Sequence, residues 1–299
     1  TTSLEANDLE AIGEKMKTTL EIKWAKAGSF NTRYVEAGKL GNPKIVMLHD
    51  GAFGASAQLC YSALIAELER DYHIFAPDLL GYGATDKAYF FDRSPIHGRL
   101  RHLEDFIDAV GIDEALYVGC SFGGSLTIRA LLESDNPLRM RGGFSIAGTG
   151  GPYRTTEGLA ALGAYKPDEE GAKNLVKLLV ENMANRDEQI AGRLEESKRP
   201  GHWESLAAPR FRSEDFPRTM PSDTLFDDLA NLELPLRLLE CSKDALLEKG
   251  WSETMSKLSP QISAVSLDVG HLANLEDPKA TAGLIHEFHK LLLVPDQPQ

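Results

Sequence analysis

The sequence predicts an α/β protein with a mostly parallel, doubly wound sheet and one long helical insertion. Two observations predict it: six short apolar runs are mostly separated by helical patterns, and one long stretch lacks any strand-like run. Such short apolar runs are typical of strands that are buried on both faces of a parallel sheet. The six runs are KIVMLHD (44–50), YHIFAPDL (72–79), ALYVGC (115–120), RGGFSIAG (141–148), LPLRLLECS (234–242) and ISAVSLDV (262–269).

The chain before the first of these runs has a different pattern. Residues 1–20 are polar and predict a partly helical lead-in. Residues 21–28 and 30–38 alternate with a two-residue period and predict two strands joined by a turn at Gly28–Ser29. Helical patterns separate most of the later runs. They are AQLCYSALIAELE (57–69), RLRHLEDFIDAVG (99–111), SLTIRALLES (125–134) and ATAGLIHEFHKLLL (280–293).

The long insertion is predicted to form a helical cap. Residues 152–222 contain only helical and polar sequence, such as EGAKNLVKLLVENMA, and structureless loops of that length are rare in compact domains. The cap would lie at the carboxyl ends of the strands, where open α/β sheets bind ligands. The predicted organisation is therefore a core over 1–151, a cap over 152–222 and the second part of the core over 223–299.

The composition argues against several classes of function. The 299 residues carry a formal charge of −13 at pH 7, which opposes binding to nucleic acid or to an anionic membrane. Three irregularly spaced cysteines predict neither a disulfide framework nor a zinc site, and we expect no metal. No apolar run is long enough to span a membrane, and the N-terminus is too polar for a secretory signal. We expect a soluble, cytoplasmic protein.

The motif GCSFG (119–123) places Ser121 between a predicted buried strand and a helical pattern. This is the context of a nucleophile elbow, a sharp and strained turn that exposes a serine hydroxyl and needs glycines to avoid collisions. The alternative is a serine that only caps the helix. We predict that Ser121 is a nucleophile.

A serine nucleophile needs a base, and the base needs an acid that orients it. His271 is the candidate base because it directly follows the last predicted strand. Asp244, at the end of the preceding strand, is the candidate acid. Asp268 is a weaker candidate because its side chain would have to curl back along its own strand. The alternatives are a solvated surface position for His271 and a helix cap for Asp244.

The negative charge that develops on oxygen in an acyl transfer needs preorganised N–H donors. One candidate is the amide of Phe122, which follows the nucleophile. The other is Gly51 in the loop HDGAFGAS (49–56), because glycine lets the backbone approach a substrate closely. Asp50 is unusual beside them, since a carboxylate opposes an oxyanion unless it points away.

Together these motifs resemble the α/β-hydrolase superfamily. The segments HDGAFG, DLLGYGATDK, GCSFGG, SKD and GHLANLEDP occur in the order of that family, with the acid and the histidine after the serine. The cap stretch 164–210 is similar to that of the meta-cleavage product hydrolases, which cut a carbon–carbon bond in 2-hydroxy-6-oxo-dienoates from aromatic-ring degradation. The resemblance covers most of residues 30–292.

The resemblance implies substrate-binding positions for four residues. Arg193 would hold the substrate carboxylate, a task that suits its planar fork, although an arginine on a cap helix can also be solvated. Asp50 departs from the family loop HGGGPG, Cys120 replaces the asparagine before the nucleophile, and Leu272 replaces the tryptophan after the histidine. All three departures are expected near the acid-and-enol end of the site.

The expected protein is an enzyme: a cofactor-independent hydrolase with Ser121, His271 and Asp244 as nucleophile, acid/base and orienting acid. Carbon–carbon bond cleavage in a dienoate is the first expectation, and carboxylesterase activity on small or aromatic monoesters is the alternative. A catalytically silent binding protein on the same scaffold is a third hypothesis. The expected partner is a small apolar or aromatic molecule with a carboxylate or ester group, and a homo-oligomer is compatible with the sequence.

Overall fold

The structure, a computed structural model, describes residues 20–211 and 223–293. Its centre is one eight-stranded sheet. The strands are β1 Glu21–Ala27, β2 Phe30–Ala37, β3 Lys44–Leu48, β4 His73–Pro77, β5 Ala115–Cys120, β6 Met140–Ile146, β7 Leu236–Cys241 and β8 Ile262–Leu267. Their order is β1-β2-β4-β3-β5-β6-β7-β8. β2 is antiparallel to both of its neighbours, and the other neighbouring pairs are parallel.

Burial across the sheet follows the apolar runs, with one exception. Every residue of β4 and of β5 is buried, because both strands lie inside the sheet and helices cover its faces. The run at 262–269 is predicted to be buried on both faces, and the structure corrects this. β8 is an edge strand that pairs with β7 alone, so its burial alternates and residues such as Ala264 and Ser266 are exposed.

Helices pack around this sheet, and two of them begin before the sequence pattern suggests. α2 begins at Pro95 because the Oγ of Ser94 accepts a hydrogen bond from the His97 N–H at 3.0 Å and caps the helix. α3 begins at Phe122, directly after the turn at Ser121. The helices are α1 Ala57–Leu68, α2 Pro95–Val110, α3 Phe122–Leu131, α4 Thr156–Gly163, α5 Glu169–Leu179, α6 Arg186–Ser197, α7 His202–Ala207, α8 Leu225–Ala230, α9 Trp251–Ser256, α10 Ala273–Glu276 and α11 Pro278–Leu292.

The insertion between β6 and β7 carries helices α4 to α8 and a short 3-10 helix, Ala208–Arg210. Residues 152–211 contain no strand. Residues 212–222 and residues 1–19 of the predicted lead-in over 1–20 lie outside the described residues, so the bounds of the three domains stay a prediction. Within the described ranges, no helix combines the length and the apolar composition that a membrane crossing requires.

The topology explains why distant motifs can meet. The loops that carry the candidate site residues leave the carboxyl ends of β3, β5, β7 and β8. These strands run in the same direction, so their carboxyl ends lie at one edge of the sheet. The doubly wound architecture therefore gathers those loops on the side where ligands bind in open α/β sheets.

Candidate active site

Ser121 lies on a strained turn between β5 and α3. Its backbone has φ 53° and ψ −113°, a conformation that residues other than glycine rarely adopt. The flanking glycines make this turn possible, because a Cβ on Gly119 would collide with the carbonyl oxygen of Gly123, and one on Gly123 would collide with that of Leu48. The Ser121 side chain makes no helix-capping hydrogen bond. The helix-cap alternative therefore does not describe this residue.

The side chains of Ser121, His271 and Asp244 form one chain of hydrogen bonds. His271 Nε2 lies 2.7 Å from Ser121 Oγ, and His271 Nδ1 lies 2.6 Å from Asp244 Oδ2. The carboxylate accepts the Nδ1–H, which leaves Nε2 ready to accept the hydroxyl proton. The His271 side chain is only 2% exposed, so little water competes for these bonds. The arrangement can convert a hydroxyl into a nucleophile.

Asp244 is held by the backbone that follows it. Its Oδ1 accepts a hydrogen bond from the Leu246 N–H at 2.7 Å, while its Oδ2 faces the imidazole. The alternative expectation, a cap for a helix in ALLEKG, does not hold because residues 245–250 form no helix. The bond to Leu246 instead orients the carboxylate toward the histidine.

Asp268, the weaker candidate for the acid, lies apart from the imidazole. Its Oδ1 accepts a hydrogen bond from Ser242 Oγ at 2.6 Å, and its Oδ2 forms an ion pair with Lys243 Nζ at 2.9 Å. Its side chain is exposed to solvent. The His271 Nδ1–H donates its hydrogen bond to Asp244 and not to Asp268.

The two candidate oxyanion donors lie beside the Ser121 hydroxyl. Gly51 and Phe122 line the same cavity as Ser121, and a Cβ on Gly51 would lie only 2.6 Å from the Phe122 Cβ. Phe122 is the first residue of α3, so its N–H has no acceptor within the helix and carries partial positive charge. The Tyr82 hydroxyl donates to the Gly51 carbonyl at 2.9 Å and holds the Gly51–Ala52 peptide, which follows the peptide that carries the Gly51 N–H. Negative charge on an oxygen bound beside Ser121 would be stabilised here.

Asp50 and Arg193 form a buried ion pair. Arg193 Nη1 and Nη2 lie 3.1 and 2.8 Å from the two carboxylate oxygens of Asp50. Both side chains are 1% exposed. Burial alone would raise the pKa of Asp50, but the charge and the hydrogen bonds of Arg193 lower it below its ordinary value. The carboxylate is therefore ionised, and Arg193 neutralises it.

The expected role of Arg193 as a clamp for the substrate carboxylate does not fit this arrangement. Its planar fork is occupied by Asp50, and neither residue lines the cavities that contain Ser121. The reason is the departure from the family loop at Asp50, which brings a carboxylate within reach of the arginine. The Asp50 carboxylate also accepts a hydrogen bond from the Ala52 N–H at 3.0 Å, and its charge is paired with that of Arg193.

Cys120 and Leu272 line neither of the two cavities at Ser121, so contact between these residues and the substrate stays a prediction. Cys120 is fully buried, its thiol donates to Asn274 Oδ1 at 3.0 Å, and burial raises its pKa so that it stays protonated. The Leu272 N–H donates to the carbonyl of Leu179, the last residue of α5, at 3.1 Å. Leu272 therefore ties the His271 loop to the insertion through its backbone.

His202, on α7 of the insertion, contacts the loop after β3. Its Nε2 accepts a hydrogen bond from the Gly54 N–H at 3.0 Å, and the ring is fully buried. Burial, with a smaller effect of the positive charge of Lys87, lowers the pKa of His202 to about 4. The imidazole is therefore a neutral acceptor at pH 7. No motif or periodicity in the sequence singles out this contact.

A cavity of about 270 Å³ opens beside Ser121, and a smaller one next to it is lined by Ser121 and His271. Arg154 lines both, and it is the only Arg, Lys, Asp or Glu among the described residues that line either. Sequence reasoning overlooked Arg154 and Tyr82. The available signal for Arg154 was its position shortly after β6, at the carboxyl end of a parallel strand.

Comparisons with known proteins agree with this architecture. Residues 45–284 match the model of a family described as the alpha/beta hydrolase family. The chain is 33% identical over 191 residues to 2-hydroxy-6-oxo-6-(2'-aminophenyl)hexa-2,4-dienoic acid hydrolase of Metapseudomonas resinovorans, an alignment that spans 62% of each chain. It is 26% identical over 271 residues to 2-hydroxy-6-oxo-2,4-heptadienoate hydrolase of Pseudomonas putida, which spans 88% of this chain and 94% of that relative.

Solved structures show the same fold. The 2-hydroxy-6-oxo-6-phenylhexa-2,4-dienoate hydrolase of Rhodococcus sp. strain RHA1 has a TM-score of 0.78 at 22% identity, over 92% of this chain and 100% of that chain. A carboxylesterase of Bacillus subtilis has a TM-score of 0.74 at 20% identity, over 94% and 95%. The predicted fold class and the resemblance to the meta-cleavage product hydrolases are confirmed. The chain belongs to the α/β hydrolase family and is a hydrolase of that fold.

Proposed function

We propose that this chain is a cofactor-independent serine hydrolase that cleaves a carbon–carbon bond in 2-hydroxy-6-oxo-dienoates. The observation that carries the catalytic part is the chain of hydrogen bonds that joins Ser121, His271 and Asp244 at 2.7 and 2.6 Å. The substrate class is supported by the two relatives, which are named as dienoate hydrolases.

In the proposed reaction His271 Nε2 takes the hydroxyl proton while Ser121 Oγ attacks the substrate carbonyl carbon. The carbonyl oxygen becomes an oxyanion, which accepts hydrogen bonds from the amides of Phe122 and Gly51. Asp244 stabilises the imidazolium that forms. His271 then donates its proton to the leaving group, and a water molecule, deprotonated by the same imidazole, hydrolyses the acyl-enzyme.

A dienoate substrate requires one step in addition to these reaction steps. Carbon is a poor leaving group, so the dienol must first become the keto tautomer, in which the departing carbon can leave as a delocalised dienolate. His271 is the group that can move the protons for both the tautomerisation and the cleavage, because its Nε2 faces the cavity. The products are a carboxylic acid and a hydroxydienoate.

A carboxylesterase is the second candidate, and specific observations favour it. The arginine expected to hold a dienoate carboxylate is bound to Asp50, and Cys120 and Leu272 lie away from the cavity walls. An alkoxide or phenoxide leaves without an electron sink, so ester hydrolysis needs only the serine, the histidine, the acid and the oxyanion donors.

The two candidates are separated by one pair of assays on the purified protein. We expect the protein to turn over 2-hydroxy-6-oxo-6-phenylhexa-2,4-dienoate, which is measured as a loss of dienol absorbance. The kcat/KM for this dienoate should be higher than the kcat/KM for 4-nitrophenyl hexanoate. A dienoate rate near zero beside rapid ester turnover would reject carbon–carbon cleavage and leave the esterase. The control is Ser121→Ala, which must abolish both rates.

A catalytically silent binding protein is the remaining hypothesis. A fluorophosphonate probe is expected to label the wild-type protein and to spare Ser121→Ala, because only an activated serine reacts with it. Labelling of neither protein would favour the silent scaffold. The cytoplasmic location, the lack of nucleic-acid and membrane partners, and a homo-oligomeric state stay predictions.

A further inference from the structure

The cavity at Ser121 contains one cationic side chain in apolar surroundings. Arg154 lines both the larger cavity and the smaller one, and so do Leu159, Leu162 and Leu246. Among the described lining residues there is no Asp, Glu or Lys. The whole chain carries a net charge of −13, so this positive charge runs against its overall balance. The cavity therefore presents a local site for an anion.

The position of Arg154 is fixed relative to the candidate acid. Arg154 forms an antiparallel β-bridge with Leu247, three residues after Asp244. Backbone hydrogen bonds flank this bridge: the Thr155 N–H donates to Leu246 O at 2.9 Å, and the Glu248 N–H donates to the Tyr153 carbonyl at 2.9 Å. The segment with Arg154 is thus held against the loop that orients the His271–Asp244 pair.

The guanidinium of Arg154 has no protein partner among residues 20–211 and 223–293: no carboxylate pairs with it and no acceptor bonds it. The neighbouring Arg129 differs, since its two terminal nitrogens lie 2.8 Å from the carboxylate oxygens of Asp223. Arg154 is an exposed residue that also lines the cavity, and partial desolvation by the surrounding protein lowers the pKa of its guanidinium. The group stays charged at pH 7, and an unpaired guanidinium on the cavity wall can form charge-assisted hydrogen bonds with an anionic ligand.

We infer that Arg154 binds a carboxylate of the substrate, in place of Arg193. This inference rests on the proposed function, because it assumes that the substrate carbonyl lies at Ser121. The substrate class is then a carbonyl compound, ester or dienoate, with a free carboxylate that reaches Arg154. The apolar part of such a molecule contacts Leu159, Leu162 and Leu246, which share both cavities with the arginine.

Matched esters test this inference. Mono-4-nitrophenyl adipate and 4-nitrophenyl hexanoate have acyl chains of equal length, and only the first ends in a carboxylate. We expect Arg154→Gln to lower kcat/KM for the adipate by about 10- to 100-fold, the range of a charge-assisted pair, and to change the hexanoate less than about threefold. Arg154→Lys should recover part of the loss, because it keeps the charge and loses the fork.

The control is Arg101→Gln, which removes the same charge from an exposed position on α2, where Arg101 pairs with Glu104. It is expected to leave both esters unchanged. Equal losses on both esters in Arg154→Gln, or the same selective loss in Arg101→Gln, would overturn the inference. Thermal unfolding of each variant excludes a folding defect.

Calorimetry keeps this test separate from turnover. 4-Phenylbutanoate and the neutral ketone 5-phenylpentan-2-one have similar shapes and should bind the wild-type protein with clearly different affinity, the carboxylate tighter by about 10-fold or more. Arg154→Gln should remove that difference. A protein that turns over neither the dienoate nor either ester but shows this difference would refute the proposed function and retain the anion site. Equal affinity of the two compounds for the wild-type protein would overturn the anion site.

Discussion

Asp50 and Arg193 share two hydrogen bonds, at 3.1 and 2.8 Å, across 143 positions of sequence. One residue follows β3 and the other lies on α6 of the insertion, so the pair joins the sheet to the helices above it. A second contact lies next to it, because Gly54 is so close to the Arg193 carbonyl that a Cβ there would collide with it. The pair therefore acts as a structural bond between the insertion and the core, and not as an open receptor for a ligand.

The ion pair leads to a stability prediction. Arg193→Met leaves the Asp50 carboxylate buried without a counter-charge, and breaking a buried pair in this way typically costs about 3–5 kcal/mol. We expect a loss of that size in the free energy of unfolding, measured by urea titration at pH 7. The double variant Asp50→Asn/Arg193→Met removes both charges and should be more stable than Arg193→Met alone.

The same variants also test the assignment of the substrate clamp. If Arg193 served as the clamp, Arg193→Met would lower kcat/KM for the adipate monoester and spare the hexanoate ester. We expect instead that any loss affects both esters alike. A stability change below about 1 kcal/mol in Arg193→Met would contradict the buried pair.

The candidate triad predicts large losses of activity without loss of structure. Asp244→Asn should lower kcat by about 10⁴-fold, because an amide in this position favours the wrong tautomer of His271. Ser121→Ala should lose at least as much. The measurement is the initial rate on the substrate class, dienoate or ester, that the wild-type protein turns over faster. The matched control is Asp268→Asn, because the Asp268 carboxylate bonds Ser242 and Lys243 at the surface and not His271. If Asp244→Asn kept more than one tenth of the wild-type activity, this result would contradict the assignment of the triad.

Tyr82 is predicted to hold the loop at Gly51, the residue whose N–H is a candidate oxyanion donor. Tyr82→Phe removes the hydrogen bond to the Gly51 carbonyl and leaves the ring in place. One such bond is worth about 0.5–1.5 kcal/mol, so we expect kcat to fall about 3- to 10-fold with little change in KM. Tyr117→Phe is the control, because the Tyr117 hydroxyl bonds the Leu138 carbonyl inside the core. A loss in Tyr117→Phe as large as in Tyr82→Phe would show a general packing effect.

Acid should weaken the fold through His202. Its pKa is about 4 in the folded protein against 6.5 ordinarily, so below pH 6.5 the unfolded chain takes up a proton that the folded chain does not. The free energy of unfolding is therefore unaffected by His202 above pH 6.5, and it decreases as the pH falls from 6.5 toward 4. Between pH 7 and pH 5 this amounts to about 2 kcal/mol.

The measurement is the free energy of unfolding at these two pH values, in the wild type and in His202→Gln. Glutamine keeps an acceptor for the Gly54 N–H and does not titrate, so the variant should lose about 2 kcal/mol less on acidification. His102, whose pKa burial also lowers to about 4, stays in both proteins and contributes equally. An identical loss in the two proteins would contradict the role of His202.

Local sequence was sufficient for the eight strands, for the four longer core helices and for the choice of the candidate triad residues. The run ALYVGC forms β5 with its predicted bounds. The turn at Ser121 could be predicted because it requires small residues at Gly119 and Gly123, next to the serine in the sequence. His271 and Asp244 could be predicted since each follows a parallel strand, and parallel strands end at one edge of the sheet. The exposed face of β8 could not be predicted, because the apolar run at 262–269 does not reveal that this strand lies at the edge of the sheet.

The sequence did not indicate which arginine lines the cavity at Ser121. The sequence by itself supplied Arg193, Asp50 and Arg154 as charges, and the family likeness assigned the clamp to Arg193. The fold instead brings Arg193 against Asp50 and leaves Arg154 beside Ser121. The energy of a charge depends on its distance to other charges and on its burial, and both are set by how distant segments pack.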